Sequence, residues 1–412
     1  MPHFPLADRV ARLKPSATLA VARRAQELAR GGAKVISFSL GEPDLETPEP
    51  IRRAAVDALA RGETHYMPTL GDRETRQAVA DKLTRENGIS GLTWENVAIS
   101  AGAKHSFYLV CQTLLEPGDE VILPVPAWVS YAPIIELAGA KVVELPTTPG
   151  SGFKVTPAQL EAAITPRARA ILINSPSNPC GTMYTPDELR GLAGVVASAA
   201  GGKPWPILIT DEIYEKVIYG EVAHFSIGSD ERVRERTLTI NGLSKAFAMT
   251  GWRVGYVACP GDTGRALMRA IETLQGQMTN NITSFVYAAV RVALTSCAGE
   301  VEAMRRIFEG RARRMHMKAA AIPGLACPPA MGAYYLFPEV AGYFGRASAG
   351  GTVIRSAMDF ASALLAEQHV AVVPGEDFGG CGGRHVRLSF ACSEAQIDEG
   401  MDRLAAFVRA LT

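Results

Sequence analysis

Lys245 lies in Ile240-Asn-Gly-Leu-Ser-Lys-Ala-Phe-Ala-Met-Thr-Gly-Trp-Arg253, just after an apolar run and among small and apolar neighbours. A lysine so placed is poorly solvated. Desolvation disfavours its ammonium form and frees the amine to act as a nucleophile or Schiff-base former. Asp211 ends the apolar run Pro206-Ile-Leu-Ile-Thr210, at the edge of a buried strand where open α/β sheets bind ligands. It could cap the following helix or pair with a cationic ligand atom. A Schiff-base lysine combined with an aspartate on a pyridinium nitrogen is the arrangement that binds pyridoxal 5'-phosphate. Arg253 can bond a phosphate bidentately. In Ser100-Ala-Gly-Ala-Lys104, free backbone N–H groups at a helix start form an anion site. Taken singly, Lys245 is equally a surface residue ending a strand, Trp128 a core aromatic, Tyr214 a helix-face residue and Arg387 an exposed strand-edge charge.

These residues need a sheet to position them, and the pattern supplies one. Short apolar runs alternate with amphipathic stretches, which predicts an α/β fold with a largely parallel sheet. Strands are expected at 35–38, 121–123, 170–174, 207–210, 238–240 and 254–258. Helices are expected from Ser16 or Thr18 to Arg30 and at 50–61, 72–86, 186–197 and 263–274. From 284 to 318 the pattern is nearly all helical, with a long helix after Gly299. The tail returns to mixed structure, with strands at 333–337, 370–373 and 385–390, and helices at 353–367 and from Glu394. The domains expected are an N-terminal arm and part of the small domain (1–47), a large cofactor-binding domain (48–290) and a C-terminal small domain (291–412). The basic run 305–318 reads as the solvated face of a helix.

The chain has 412 residues with 42 basic and 42 acidic side chains. That balance argues against a dedicated nucleic-acid binder. At 47% apolar and 20% charged the chain is not disordered, and its length exceeds the roughly 250–300 residues at which one core stops growing. No uncharged run is long and unbroken enough to span a bilayer, and the N-terminus lacks the apolar core of a signal peptide. Seven cysteines with no CxxC pair read as reduced thiols of a cytoplasmic protein. No metal site is expected, because HExxH and Cys/His ligand spacing are absent.

Further motifs stand in order along the chain: Lys14-Pro-Ser-Ala-Thr18, Gly41-Glu-Pro-Asp44, Tyr66-Met-Pro68, Gly102-Ala-Lys104 and Trp128-Val-Ser-Tyr131. After them come Ser175-Pro-Ser-Asn-Pro179, Asp211-Glu-Ile-Tyr-Glu215, the Lys245 segment, Val373-Pro-Gly375 and Arg387-Leu-Ser-Phe-Ala391. In this order the set resembles the class I aminotransferases of the fold type I pyridoxal-phosphate superfamily, most closely the bacterial aspartate/prephenate aminotransferase branch. The resemblance covers nearly the whole chain. It implies a mostly parallel seven-stranded sheet between helices, with a smaller α+β domain.

It also implies roles. Lys245 would form the Schiff base with pyridoxal 5'-phosphate and carry the proton between substrate and cofactor. Asp211 would keep the pyridine nitrogen protonated, Tyr214 and Asn178 would bond the phenolic oxygen, and Trp128 would stack on the ring. Gly102, Ala103, Lys104 and Arg253 would hold the phosphate, joined by Tyr66 from the second subunit of a homodimer. Arg387 would clamp the substrate α-carboxylate with Asn178, next to Gly41 and Trp128. Lys104 with Lys14, Ser16 and Thr18 would line the side-chain pocket and favour a dicarboxylic donor, although Ser16 or Thr18 could instead cap the first helix.

The implied reaction is transamination between aspartate or glutamate and a 2-oxo acid such as 2-oxoglutarate, oxaloacetate or prephenate. An aminotransferase of broader or aromatic specificity and a C–S lyase on the same fold share the lysine–aspartate core. A regulator built on this body would need an N-terminal DNA-binding domain for which Lys14–Thr18 leaves no room, and a nicotinamide dehydrogenase would need GxGxxG after a strand. Three positions depart from the family pattern. Gly242 stands where many relatives have a phosphate-binding serine, with Ser244 no assured substitute. Cys180 stands for a threonine, and Phe390 for a common tyrosine.

Overall fold

In the computed structural model, residues 7–13, 17–199, 206–325 and 327–412 are described. In chain order the strands are β1 (Ile36–Ser37), β2 (Val97–Ser100), β3 (Glu120–Val125), β4 (Lys141–Pro146), β5 (Ala168–Asn174) and β6 (Ile207–Asp211). They continue as β7 (Thr237–Gly242), β8 (Gly255–Ala258), β9 (Tyr335–Leu336), β10 (Val370–Ala371), β11 (Val373–Pro374) and β12 (Val386–Ser389). Seven of them form one sheet in the order β2-β8-β7-β6-β5-β3-β4. Only β8 runs antiparallel to its neighbours in that sheet. This is the expected α/β architecture.

The central strands are buried on both faces because helices cover them; β7, Thr-Leu-Thr-Ile-Asn-Gly, is buried throughout. Two strands of this sheet escaped the sequence reading. β4 is an edge strand, Lys-Val-Val-Glu-Leu-Pro, with no fully buried residue, so its apolar signal is weak. β2 is only four residues long.

Helix starts follow local chemistry. Asp72 caps the helix Arg73–Asn87 by accepting from Thr75 N–H at 2.9 Å, and Gly88 ends it with φ 69°, a conformation that costs glycine little. The helix Ala17–Arg30 forms as expected, but Lys14, Ser16 and the Thr18 side chain lie outside the described residues.

Beyond the main sheet, β11, β12 and β9 make an antiparallel sheet, and β1 pairs parallel with β10. The helix Val286–Ser296 packs with Ile51, Val79 and Val97 in one core. The helix Ala298–Ala320 packs instead with Phe360, Leu388 and Phe407. The change of core falls at Cys297. The basic run on this long helix is only in part the solvated face expected: Arg306 and Arg313 are exposed, but the others are engaged. Arg311 is buried and grips Asp44 bidentately at 2.6 and 3.1 Å, while Arg314 and Lys318 pair with Asp398 and Asp402 of the helix Glu394–Arg409. The acidic partners are remote in sequence, which is why a local charge count missed them.

Candidate active site

The carboxyl ends of β2, β5, β6 and β7 open on one edge of the main sheet. Because β8 runs the other way, it starts at that edge: Gly255 is opposite both Ser100 and Gly242. Arg253, entering β8, Lys245, leaving β7, and Asp211, ending β6, therefore converge from separate parts of the sequence. They line a cavity of about 590 Å³.

Lys245 is half-buried and its Nζ donates to the Gly41 carbonyl. Burial pulls its ammonium pKa down, opposed by Tyr335 and reinforced by Arg387. Asp211 accepts from the Tyr131 hydroxyl at 2.7 Å and from Ile213 N–H at 3.1 Å. Burial pushes its carboxyl up to about 6 against the pull of those two donors.

The segment 245–253 is bent into place. Ala248 and Arg253 have φ of 50° and 58°, left-handed values that cost non-glycine residues energy and collect at functional sites. Thr47 holds the bend by donating to the Ala248 carbonyl at 2.6 Å and accepting from Trp252 Nε1 at 3.2 Å. Arg253 Nη1 donates to Thr250 O at 2.8 Å. A β-carbon at Gly102, which has φ 96°, would run into the Arg253 guanidinium. Gly102 is the N-cap of the helix Ala103–Leu114, whose first N–H groups lack intrahelical acceptors. Arg253 thus lies beside a helix N-terminus, and both favour an anion.

Arg387 lines the same cavity and is 5% exposed. Its Nη1 donates to Asn178 Oδ1 at 3.0 Å and its Nη2 to Ser39 O at 2.9 Å. The guanidinium faces the Tyr335 ring at 4.5 Å and the Phe378 ring at 5.3 Å. Trp128 also lines the cavity, with the Lys104 ammonium 4.8 Å above its ring. Burial, then Arg253, lowers the Lys104 pKa. A wall of cations, a desolvated amine and a buried carboxylate in one cavity suits a small anionic amine or oxo acid.

A match to the family model for aminotransferase class I and II spans residues 33–404. The chain belongs to that family. The aminotransferase is 40% identical, over 98% of both chains, to a probable aspartate/prephenate aminotransferase of Rhizobium leguminosarum bv. phaseoli. Its fold matches the aspartate aminotransferase of Rhizobium meliloti with a TM-score of 0.94 at 37% identity, covering all of both chains. A second solved structure, the aspartate aminotransferase of Thermus thermophilus with maleate, matches at TM-score 0.89 and 38% identity over 98% of this chain and all of that one.

Of the residues expected at the site, Gly41, Ala103, Asn178 and Tyr214 also line the aminotransferase's cavity. Tyr66 does not; it is 87% exposed, in a shallow surface pocket with His65 and Asn281. Ser244 lines the cavity, whereas Gly242 faces a separate one. A β-carbon at Gly242 would meet the Val254 carbonyl at 2.7 Å, so a serine there would require the backbone to shift. Cys180 is buried in a satellite core with Phe153 and Phe337.

Sequence reasoning missed several contributors. Tyr131 stood in a quoted motif without a role. Asn174 accepts from Asn178 N–H at 2.9 Å and donates to the Asp211 carbonyl at 3.0 Å. Tyr334 donates to the Lys245 carbonyl at 2.8 Å, and Tyr335 bonds Tyr214. Beneath the site, Glu212 and Glu215 join Lys82, Asn87, His224 and Ser226 in a buried network. Glu212, Glu215 and His224 stand close enough to hold a metal. The carboxylates already have the Lys82 ammonium and the Asn87 amide as partners. Although burial would raise Glu215, Lys82 and His224 bring it down to about 2. The network anchors the turn that carries Asp211 and Tyr214.

Proposed function

We propose that this aminotransferase moves the amino group of aspartate or glutamate to a 2-oxo acid, using pyridoxal 5'-phosphate held by Lys245, Asp211 and Arg253. The observation that carries this reading is the desolvated Lys245 amine and the buried Arg387 guanidinium facing one cavity. The residues fit the cofactor. Asp211 suits a protonated pyridine nitrogen, Trp128 a ring face, and Tyr214 with Asn178 a phenolic oxygen. Arg253 and the N–H groups of Ala103 and Lys104 suit a phosphate. When bound, the cofactor supplies an electron sink for charge developing at the substrate α-carbon. The protein does the rest. Burial keeps the Lys245 amine available to take the α-proton. Arg387, held on both sides by Asn178 and Ser39, orients the α-carboxylate.

Lys104 over Trp128 offers a second cation for a second carboxylate. Support comes from the relatives named for aspartate and prephenate, and from maleate, a dicarboxylate, in the Thermus thermophilus structure. A homodimer is part of the reading. Tyr66 stands clear of its own cavity, and Val56 and Leu59 present apolar surface from the helix Glu49–Ala60, which a second copy would cover. The seven unpaired cysteines suit a reducing cytoplasm.

Borohydride reduction of the loaded protein followed by peptide mapping tests the cofactor site, with a screen of aspartate, glutamate, alanine, aromatic amino acids and prephenate. The label is expected on Lys245, with dicarboxylic donors preferred. A label on another lysine, or release of ammonia and a thiol from sulfur amino acids without amino transfer, would overturn the reading.

A further inference from the structure

Strand β9 and the residue before it bring two tyrosines to the site, and their hydroxyls go to different places. Tyr334 reaches the Lys245 carbonyl. Tyr335, 1% exposed, hydrogen-bonds the Tyr214 hydroxyl at 2.9 Å while its ring faces Arg387 at 4.5 Å. A β-carbon at residue 41 would run into the Tyr335 hydroxyl. The loop whose Gly41 carbonyl accepts from Lys245, and whose Ser39 carbonyl accepts from Arg387, therefore rests on this tyrosine.

We propose that Tyr335 is a positioning residue that ties the carboxylate clamp at Arg387 to the Tyr214 phenol beside Lys245. This rests on the pyridoxal-phosphate reading above. Among the described residues Tyr214 is the hydrogen-bond partner of the Tyr335 hydroxyl, whose other flank meets the Gly41 α-carbon. Either hydroxyl can donate in this pair; with Tyr335 O–H donating to the Tyr214 oxygen, Tyr214 O–H is left to donate into the cavity. A hydroxyl that accepts a hydrogen bond becomes a stronger donor through its own proton. The ring has a separate task. Like Phe378, it presents an aromatic ring to the Arg387 guanidinium, which restricts the plane in which its N–H groups meet a carboxylate.

The two tasks separate by mutation. Wild type, Tyr335→Phe and Tyr335→Leu are loaded with pyridoxal 5'-phosphate. The bound cofactor's visible absorption is titrated against pH, and the dissociation constant of maleate, an unreactive dicarboxylate, is measured. Tyr335→Phe keeps the ring and loses the hydroxyl. Its titration midpoint is expected to move up by about half a pH unit or more, because a weaker Tyr214 donor leaves the cofactor's phenolic oxygen more basic. Its maleate affinity is expected to stay within about twofold. Tyr335→Leu is expected to show the same upward shift and to bind maleate about tenfold more weakly. A loaded Tyr335→Phe that titrates with wild type overturns the proposal and leaves the cofactor reading intact, even if Tyr335→Leu does not fold. A folded Tyr335→Leu that binds maleate like wild type also overturns it. Wild type that takes up no cofactor overturns both.

Discussion

The Tyr131 hydroxyl donates to the Asp211 carboxylate at 2.7 Å, from the helix Tyr131–Leu137 across to the end of β6. Both groups are buried, and this bond, the Ile213 N–H and the Lys245 charge oppose the desolvation of the carboxylate. Tyr131→Phe is expected to leave Asp211 easier to protonate and less able to hold a pyridinium. The expected loss is about 1–2 kcal/mol of transition-state stabilisation, roughly five- to thirtyfold in kcat. Steady-state kinetics with aspartate reads it; unchanged kcat would remove Tyr131 from the site.

Asp211 also makes a pH prediction for the cofactor-free protein. Its folded pKa of about 6 lies above the ordinary 3.8. The folded chain then binds more protons than the unfolded one between those values. This group's stabilisation is complete below the lower value and is lost as the pH rises through the upper one. The full difference is worth roughly 3 kcal/mol. Compared with Asp211→Asn, wild type is expected to lose stability between pH 4 and pH 7, read by denaturant unfolding without cofactor. Parallel pH profiles for the two proteins would contradict the buried-acid assignment.

On the proposed reading, Lys104 separates substrate recognition from cofactor binding. Its ammonium lies over Trp128, while its backbone N–H is at the helix start beside Arg253. Lys104→Ala keeps the N–H and removes the cation. It is expected to raise KM for aspartate by about 1.5–3 kcal/mol while leaving KM for alanine nearly unchanged. Equal losses for both donors would mean that the side chain serves the cofactor alone.

The shared site of the proposed homodimer can be tested by mixing. Lys245→Ala and Tyr66→Ala protomers are each expected to be impaired. Their heterodimer contains one site with both residues intact, so activity is expected to return on mixing, to at most about half of wild type per site. No recovery in a verified heterodimer, or a Tyr66→Ala protein with unaltered cofactor affinity, would place Tyr66 outside the site.

By itself the sequence determined the chemistry on offer and the family, because those signals are local. A lysine after an apolar run, an aspartate ending another, a glycine turn before a helix and an arginine eight residues past the lysine are all legible within short windows. Only the tertiary structure decided how they meet. Arg387 finds Asn178 across 209 residues and Tyr335 finds Tyr214 across 121, contacts with no local periodicity to announce them. The antiparallel insertion of β8 brings Arg253 to the same edge as Asp211 and Lys245, and nothing in the four residues of β8 specifies its direction. The basic run on the helix Ala298–Ala320 looked solvent-facing because Asp44 and Asp398 lie far off in the chain. Spacing reports which face a residue occupies on its own element. Which side chain faces it there depends on sheet order and helix packing, and those are settled by burying all the apolar faces together.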